Sequence, residues 1–361
     1  MEPGNPDADC PTVPTRWVYP VLLALVVAVL WDVLFSPFLP SGDIYHALGN
    51  PSIRDWRNLP LLFSPSYGFI FWEGSYHPLY TFSTFINHFF FGANPAGFRI
   101  FKVAVLWINA ILLAKVCRKE LGALAWLASF FYVLNPGHHS ILMLDMKDHM
   151  VTLFCLLGLS LHRRSGLLKH PLRHCATVGA FNILALFSKE TGVVFPALLL
   201  AMDVAQEEIP RQARHRLRWL ACYCTCSAVT LLYAFIRFKV IRVGGDFQWG
   251  YSSATVGGVL MRWKEYAWML ASWSGPAGRD GMLYVLAIFS GYMLWSTSGK
   301  SRKFAAGCIA WMLLGILPVS GLLPIEPLST YLSGGSVSPR YLILPGVGFA
   351  WVLGLGLREA W

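Results

Sequence analysis

Long apolar stretches, each near the ~20 residues that a helix needs to cross ~30 Å of hydrocarbon, recur along the whole chain. They predict about ten membrane spans, at 17–39, 98–117, 120–135, 149–162, 175–188, 191–204, 217–236, 281–297, 304–324 and 341–357. The fourth, fifth and sixth are short, so two of them can form a broken pair instead of full crossings. One polar, aromatic-rich segment interrupts the pattern, Pro40 to Asn94, and it carries Asp43, Arg54, Asp55, Glu73 and His77. It concentrates the ionisable groups able to do chemistry outside lipid.

Composition agrees with the pattern: 55% of residues are hydrophobic, 13% are charged and the mean hydropathy is +0.51. A chain with that balance cannot shield its apolar surface from water and belongs in a bilayer. The expectation is an all-α polytopic membrane protein, with a short tail at 1–16 and a single transmembrane domain at 17–361. Within that domain, 40–94 and 237–280 are the large outer loops.

Lys and Arg accumulate in the short loops that stay in the cytoplasm. The clusters are Lys115, Arg118 and Lys119; Arg163, Arg164, Lys169 and Arg173; and Arg211, Arg214, Arg216 and Arg218. Lys300, Arg302 and Lys303 obey the same alternation if 256–273, rich in Trp, Tyr and Met, lies in the interface instead of crossing. Both termini are then cytoplasmic and the 40–94 loop faces outward, in a bacterial inner membrane or the endoplasmic reticulum. The net charge of +10 is read as a topology signal, with no nucleic-acid partner.

The acidic, Pro-rich run Met1–Arg16 lacks the basic start of a cleavable signal, so the first span is expected to be retained. The cysteines at 222, 224 and 226 point in different directions on a helix. No metal ligands are assigned there and no disulfide framework is implied.

Three sets of ionisable groups lie near or within the spans, where each is costly in lipid. The first is Asn135-Pro-Gly-His-His-Ser140 with Asp145-Met-Lys-Asp148-His149. In a helix, Asp145, Asp148 and His149 share a face and Lys147 turns away. The second is Ser188-Lys189-Glu190-Thr191, between two short apolar runs, and the third is Arg340 at the start of the last span. Each has a bland reading: a solvated stripe, a solvated turn and an interfacial anchor. Together they read as a polar cavity at the outer boundary, with carboxylates to act as base and cations to hold a phosphate. That inventory suits a transferase with a phosphate-linked lipid donor. It also suits a transporter, although no repeated, broken-helix pair is evident.

Several short segments, in order, resemble the multispanning C-type (GT-C) glycosyltransferases, most closely the membrane part of the transmembrane and tetratricopeptide-repeat-containing O-mannosyltransferases and their bacterial relatives. They are Gly42-Asp-Ile-Tyr-His-Ala-Leu-Gly-Asn-Pro51 with Ile53–Phe63, Tyr76-His-Pro-Leu79, Leu134–His139, Asp148, Phe187-Ser-Lys-Glu-Thr-Gly192 and Pro339–Phe349. The resemblance implies a polyprenyl-phosphate sugar donor, an extracytoplasmic protein or glycan acceptor, and room for a membrane-protein partner. It implies Asp43 as catalytic base, Glu73, Asp148 and Glu190 as supporting acids that order the pocket, and Arg340, Lys189 and His77 as contacts to the donor phosphate. No cofactor is assigned, since such enzymes differ in divalent-metal dependence and no ligand spacing decides it. The chain departs from the pattern at three places: Gly42 replaces one acid of the usual pair, His77 replaces an Arg before Pro-Leu, and Pro339 replaces the acid before Arg340. A non-catalytic scaffold that keeps the fold would show the same departures.

Overall fold

A computed structural model describes residues 15–35, 50–64, 76–135, 138, 146–163, 170–207, 212–240, 263–264, 289–319 and 342–360. Among these the regular structure is helical throughout, without strands. The principal helices are α1 (Thr15–Val29), α2 (Trp31–Phe35), α3 (Pro78–Phe91), α4 (Pro95–Leu121), α5 (Ala125–Val133), α6 (Lys147–His162), α7 (Pro171–Ser188), α8 (Phe195–Ala205), α9 (Ala213–Phe235), α10 (Gly299–Ile316) and α11 (Ile343–Ala360). Helix covers most of each expected span where its residues are described; Leu30, Leu134, Asn135 and Thr297 are the non-helical exceptions among the described residues. The protein is an all-α polytopic integral membrane protein.

Local sequence sets the boundaries. Proline opens α3, α4 and α7 at the first turn, where its missing N–H costs nothing and its fixed φ is already helical. Asn94 caps α4 by accepting from Ala96 N at 3.0 Å. At the far end of α4, Gly122 adopts φ +58°, which a side chain would strain, and its N–H bonds back to Arg118 O. The chain reverses there, so α4 and α5 form an antiparallel hairpin. The α4–α5 run (Pro95–Val133), His215–Phe235, Gly299–Val319 and Ile343–Ala360 are each long and apolar enough to cross a bilayer.

Helices in lipid gain little from burying apolar surface against one another, so close approach and polar bonds hold them. A Cβ on Gly348 of α11 would sit 2.5 Å from Cys308 O of α10, so only glycine permits that contact. Trp351 and Trp311 pack edge to face at 5.2 Å in the middle of the bundle. Ser129 donates to Ala110 O at 2.6 Å, and Asn182 to Cys226 O at 2.8 Å, joining α5 to α4 and α7 to α9. The outer face of α9 leaves Leu231, Leu232 and Phe235 exposed, the arrangement expected against acyl chains.

The bundle has two chemically different ends. At one, α1 starts beside Lys115 and Trp126, and Arg163 bonds both Glu120 and the Val116 carbonyl. There too Arg358 reaches Glu120 O, and Lys303 pairs with Glu207. The described members of the basic loops gather at this end, together with the beginning of the first helix and the end of the last. A cavity of about 430 Å³ opens here, lined by groups including Lys119, Glu207, Lys300 and Arg358.

At the other end, the 40–94 segment is more than a loop. Two 3-10 helices, Pro51–Arg54 and Trp56–Phe63, are capped by Asn50 and Asp55 and pack against α3. Trp56 packs edge-on and tilted among Phe82, Phe85 and Phe89, while Ile53, Leu62, Tyr76, Phe85, Leu186 and Tyr233 form a separate apolar cluster. This cap carries His77 onto the ends of α7 and α9.

Candidate functional site

The site is assembled from the beginnings of α3 and α6, the end of α7, the turn after it, and the end of α9. His77 precedes Pro78, so its backbone is kept out of the helical region, and its side chain does not cap α3. The imidazole instead turns to Glu190, with Nε2 bonded to Oε2. Glu190 also pairs with Arg237 at 3.2 Å. Beside it, Lys189 Nζ donates to both oxygens of Asp148 at 2.9 and 3.0 Å. All five side chains are buried, Arg237 to 1% exposure.

Backbone details place these groups. The segment Glu190–Val194 is a 3-10 turn folded back on the last turn of α7, and Gly192 N bonds to Lys189 O. A Cβ at Gly192 would lie 2.7 Å from the carbonyl carbon of Ala185 and 2.8 Å from Leu186 N, so this return needs glycine. Asp148 stands in the first turn of α6, where the helix dipole favours a negative charge. At the end of α9, Ile236–Val240 forms a π-helical turn, and the wider turn directs Arg237 inward.

Electrostatics follow from this crowding. Burial pushes the His77 imidazole down, to about 4, against the opposing pull of Glu190. Burial pushes the Glu190 carboxyl up, but Arg237 and then His77 outweigh it and hold the group well below its ordinary value. The consistent state is an ionised Glu190 accepting from a neutral His77. Nδ1 of His77 is then a buried lone pair, and it has no hydrogen-bond partner among the described residues.

Four of the expected site residues, His77, Asp148, Lys189 and Glu190, therefore meet in one place. The solvated readings of Asp148 and of the Lys189–Glu190 turn do not hold, because all three are buried in charge pairs. Lys147, expected to turn away from the face of Asp148 and His149, is buried too, with its ammonium 4.5 Å from the Tyr80 ring centroid, and its charge acts on His77. His149 is buried as well, held by His138 at 3.1 Å while its carbonyl accepts from Asn109. Asp43, Glu73, Arg340 and Asp145 lie outside the described residues, as does the interfacial stretch 256–273 apart from 263–264. Arg237 was not singled out from sequence. Its only signal was a cation at the end of an apolar run, which reads as an ordinary interfacial anchor.

No protein-family model matches the chain, and no curated protein sequence matches it. Its fold does match solved structures over nearly its full length. The crystal structure of ArnT from Cupriavidus metallidurans in the apo state superposes with a TM-score of 0.57 at 14% identity, covering 95% of this chain and 60% of that one. The structure of the same protein bound to undecaprenyl phosphate gives a TM-score of 0.51 at 13% identity, covering 96% and 61%. The chain has the GT-C fold. It spans about 60% of the length of the ArnT structures it matches. Within the GT-C fold, the identities of 13–14% carry the architecture and not the specificity, so the O-mannosyltransferase resemblance remains a matter of its short motifs.

Proposed function

We propose that this protein is a glycosyltransferase that moves a sugar from a polyprenyl-phosphate carrier onto an acceptor hydroxyl on the extracytoplasmic side of the membrane. The observation that carries the proposal is the buried cluster of His77, Asp148, Lys189, Glu190 and Arg237, built at one end of a GT-C bundle. Buried charges in a membrane protein are expensive and mark functional cavities. The basic loops collect at the opposite end, which by the positive-inside rule supports an outward-facing cluster and cytoplasmic termini. One of the two ArnT structures with this fold was solved with undecaprenyl phosphate. That supports a donor with the same chemical handle here.

In the proposed reaction each residue has a role. Asp43, seven residues before the Asn50 cap, is the base that takes the acceptor's proton. Lys189, Arg237, Lys147 and Arg340 supply positive charge for the phosphate as it leaves, where preorganised charge acts on the transition state. Asp148 and Glu190 hold Lys189 and Arg237 in place before the donor arrives. His77, neutral and with Nδ1 unpartnered, contributes a hydrogen-bond acceptor for a hydroxyl and not a cation. Glu73, three residues before Tyr76 in the sequence, is the supporting acid.

The reading is tested by binding. Purified protein in lipid nanodiscs should retain undecaprenyl phosphate, and Lys189→Met should weaken it at least tenfold, a loss of ~1.4 kcal/mol. Equal retention of undecaprenyl phosphate and of undecaprenol would contradict a phosphate site. A scaffold without catalysis also fits the internally paired charges, and it separates from the enzyme by binding the carrier while transferring no sugar.

A further inference from the structure

A second buried constellation lies at the basic end, where α6, α7, α8 and α9 converge, and the proposed chemistry makes no use of it. His162 is the last residue of α6, His174 stands in the first turn of α7, and Cys222 is on α9. His162 Nδ1 is 3.2 Å from His174 Nε2 and 3.8 Å from Cys222 Sγ, and one ligand atom from each residue lies within 4.8 Å of the others. All three side chains are buried.

Asp203 of α8 orients the group. Its Oδ2 accepts from Trp219 Nε1 at 2.6 Å and Tyr223 OH at 2.7 Å, and it lies 2.8 Å from His162 Nε2. A carboxylate with two such donors keeps the proton of His162 on Nε2, so the Nδ1 lone pair points at His174 and Cys222. This is the outer-shell arrangement that fixes the tautomer of a metal-binding histidine.

We infer that His162 Nδ1, His174 Nε2 and Cys222 Sγ form a binding site for a zinc-class divalent ion, with Asp203 holding His162 from behind. Zinc bonds of about 2.0–2.1 Å to nitrogen and about 2.3 Å to sulfur set tetrahedral edges of about 3.3 Å between two nitrogens and about 3.6 Å between nitrogen and sulfur. The observed 3.2 and 3.8 Å match those edges before any adjustment. Two imidazoles and a thiol select a borderline-soft ion over calcium or magnesium, which require oxygen ligands. The charges also close: a divalent cation, the Cys222 thiolate and the buried Asp203 carboxylate sum to zero. On binding, the Cys222 thiol loses its proton to solvent as the sulfur–metal bond forms. The fourth position is left for water. The Cys-x-Cys-x-Cys run does not make the site by itself. Cys224 is exposed, and the histidines come from two other helices.

Such an ion would clip the end of α6 and the start of α7 to the middle of α9. The test is cobalt titration of the tag-free, full-length protein in detergent after chelation. Wild type is expected to take up one equivalent of Co²⁺ with a thiolate-to-cobalt charge-transfer band and intense tetrahedral d–d bands, both displaced by one equivalent of Zn²⁺. Cys222→Ala should lose the charge-transfer band, His174→Ala should weaken uptake at least a hundredfold, and Cys224→Ala should leave both spectra unchanged. Wild type without these bands, or a charge-transfer band that persists in Cys222→Ala, would overturn the inference and leave a hydrogen-bonded network around Asp203. The wild-type titration decides even if a variant misfolds.

Discussion

Lys189 and Asp148 are 41 residues apart, yet the ammonium of one meets both carboxylate oxygens of the other at 2.9 and 3.0 Å in a buried position. The pair ties the end of α7 to the beginning of α6. It also keeps a cation in place next to Glu190 and Arg237.

Removing one partner strands the other. Lys189→Met should cost about 3–5 kcal/mol, because it leaves an uncompensated buried carboxylate. Lys189→Met with Asp148→Leu should be closer to wild type in thermal stability than either single change, since the desolvation penalty disappears with both charges. Additive losses in a double-mutant cycle would show that the two groups do not act as a pair.

The pH dependence has a definite sign. His77 is held near 4 against an ordinary 6.5, so the unfolded chain binds a proton first as pH falls and stability is lost between about 6.5 and about 4. Glu190, held below its ordinary 4.5, adds stability that is present above that value and is lost at more acid pH. The melting temperature in detergent should therefore fall on acidification, and His77→Gln should flatten the upper part of the slope. Glu190, Arg237 and Lys147 face the imidazole and are retained in that variant, which isolates the histidine. A steeper slope in His77→Gln would contradict the assignment.

Arg237→Gln removes the cation that holds Glu190 and, in the proposed reaction, one that faces the carrier phosphate. Affinity for undecaprenyl phosphate should fall tenfold or more while helical content by circular dichroism is retained. Unchanged affinity would limit Arg237 to supporting Glu190.

Gly192→Ala tests the turn. The added methyl would meet the Ala185–Leu186 backbone at 2.7–2.8 Å, and backbone cannot swing aside as a side-chain tip can. The variant should lose more than about 1 kcal/mol of stability. It should also lose carrier binding, because the turn carries Lys189 and Glu190. Wild-type values for both would mean that the site tolerates displacement of its own backbone.

The helices were legible because long apolar runs are local signals, whereas the expected 120–135 span runs through Gly122, where the chain turns at φ +58°. The polar constellation was half legible. Asp148, Lys189, Glu190 and His77 stand out because charge is rare in such a chain, but the pairing of Asp148 with Lys189 and of His77 with Glu190 joins residues 41 and 113 apart, which no local pattern encodes. Arg237 was lost because a π turn, invisible in the sequence, rotates a residue that otherwise reads as a membrane-surface anchor. Lys147 is buried beside Tyr80 of α3, a tertiary contact that the spacing of Asp148 and His149 does not encode. His162 and His174 flank a basic loop, where histidine reads as more surface charge.

The central claim is transfer chemistry, and the most direct measurement is sugar transfer by the purified protein in lipid. It would be supplied with a panel of polyprenyl-phosphate sugars and a mixed pool of protein and glycan acceptors, with wild type compared against Asp43→Asn. The account predicts transfer by wild type from at least one donor, and its loss in Asp43→Asn with carrier binding intact. Carrier binding without transfer by wild type, across the whole panel, would contradict it.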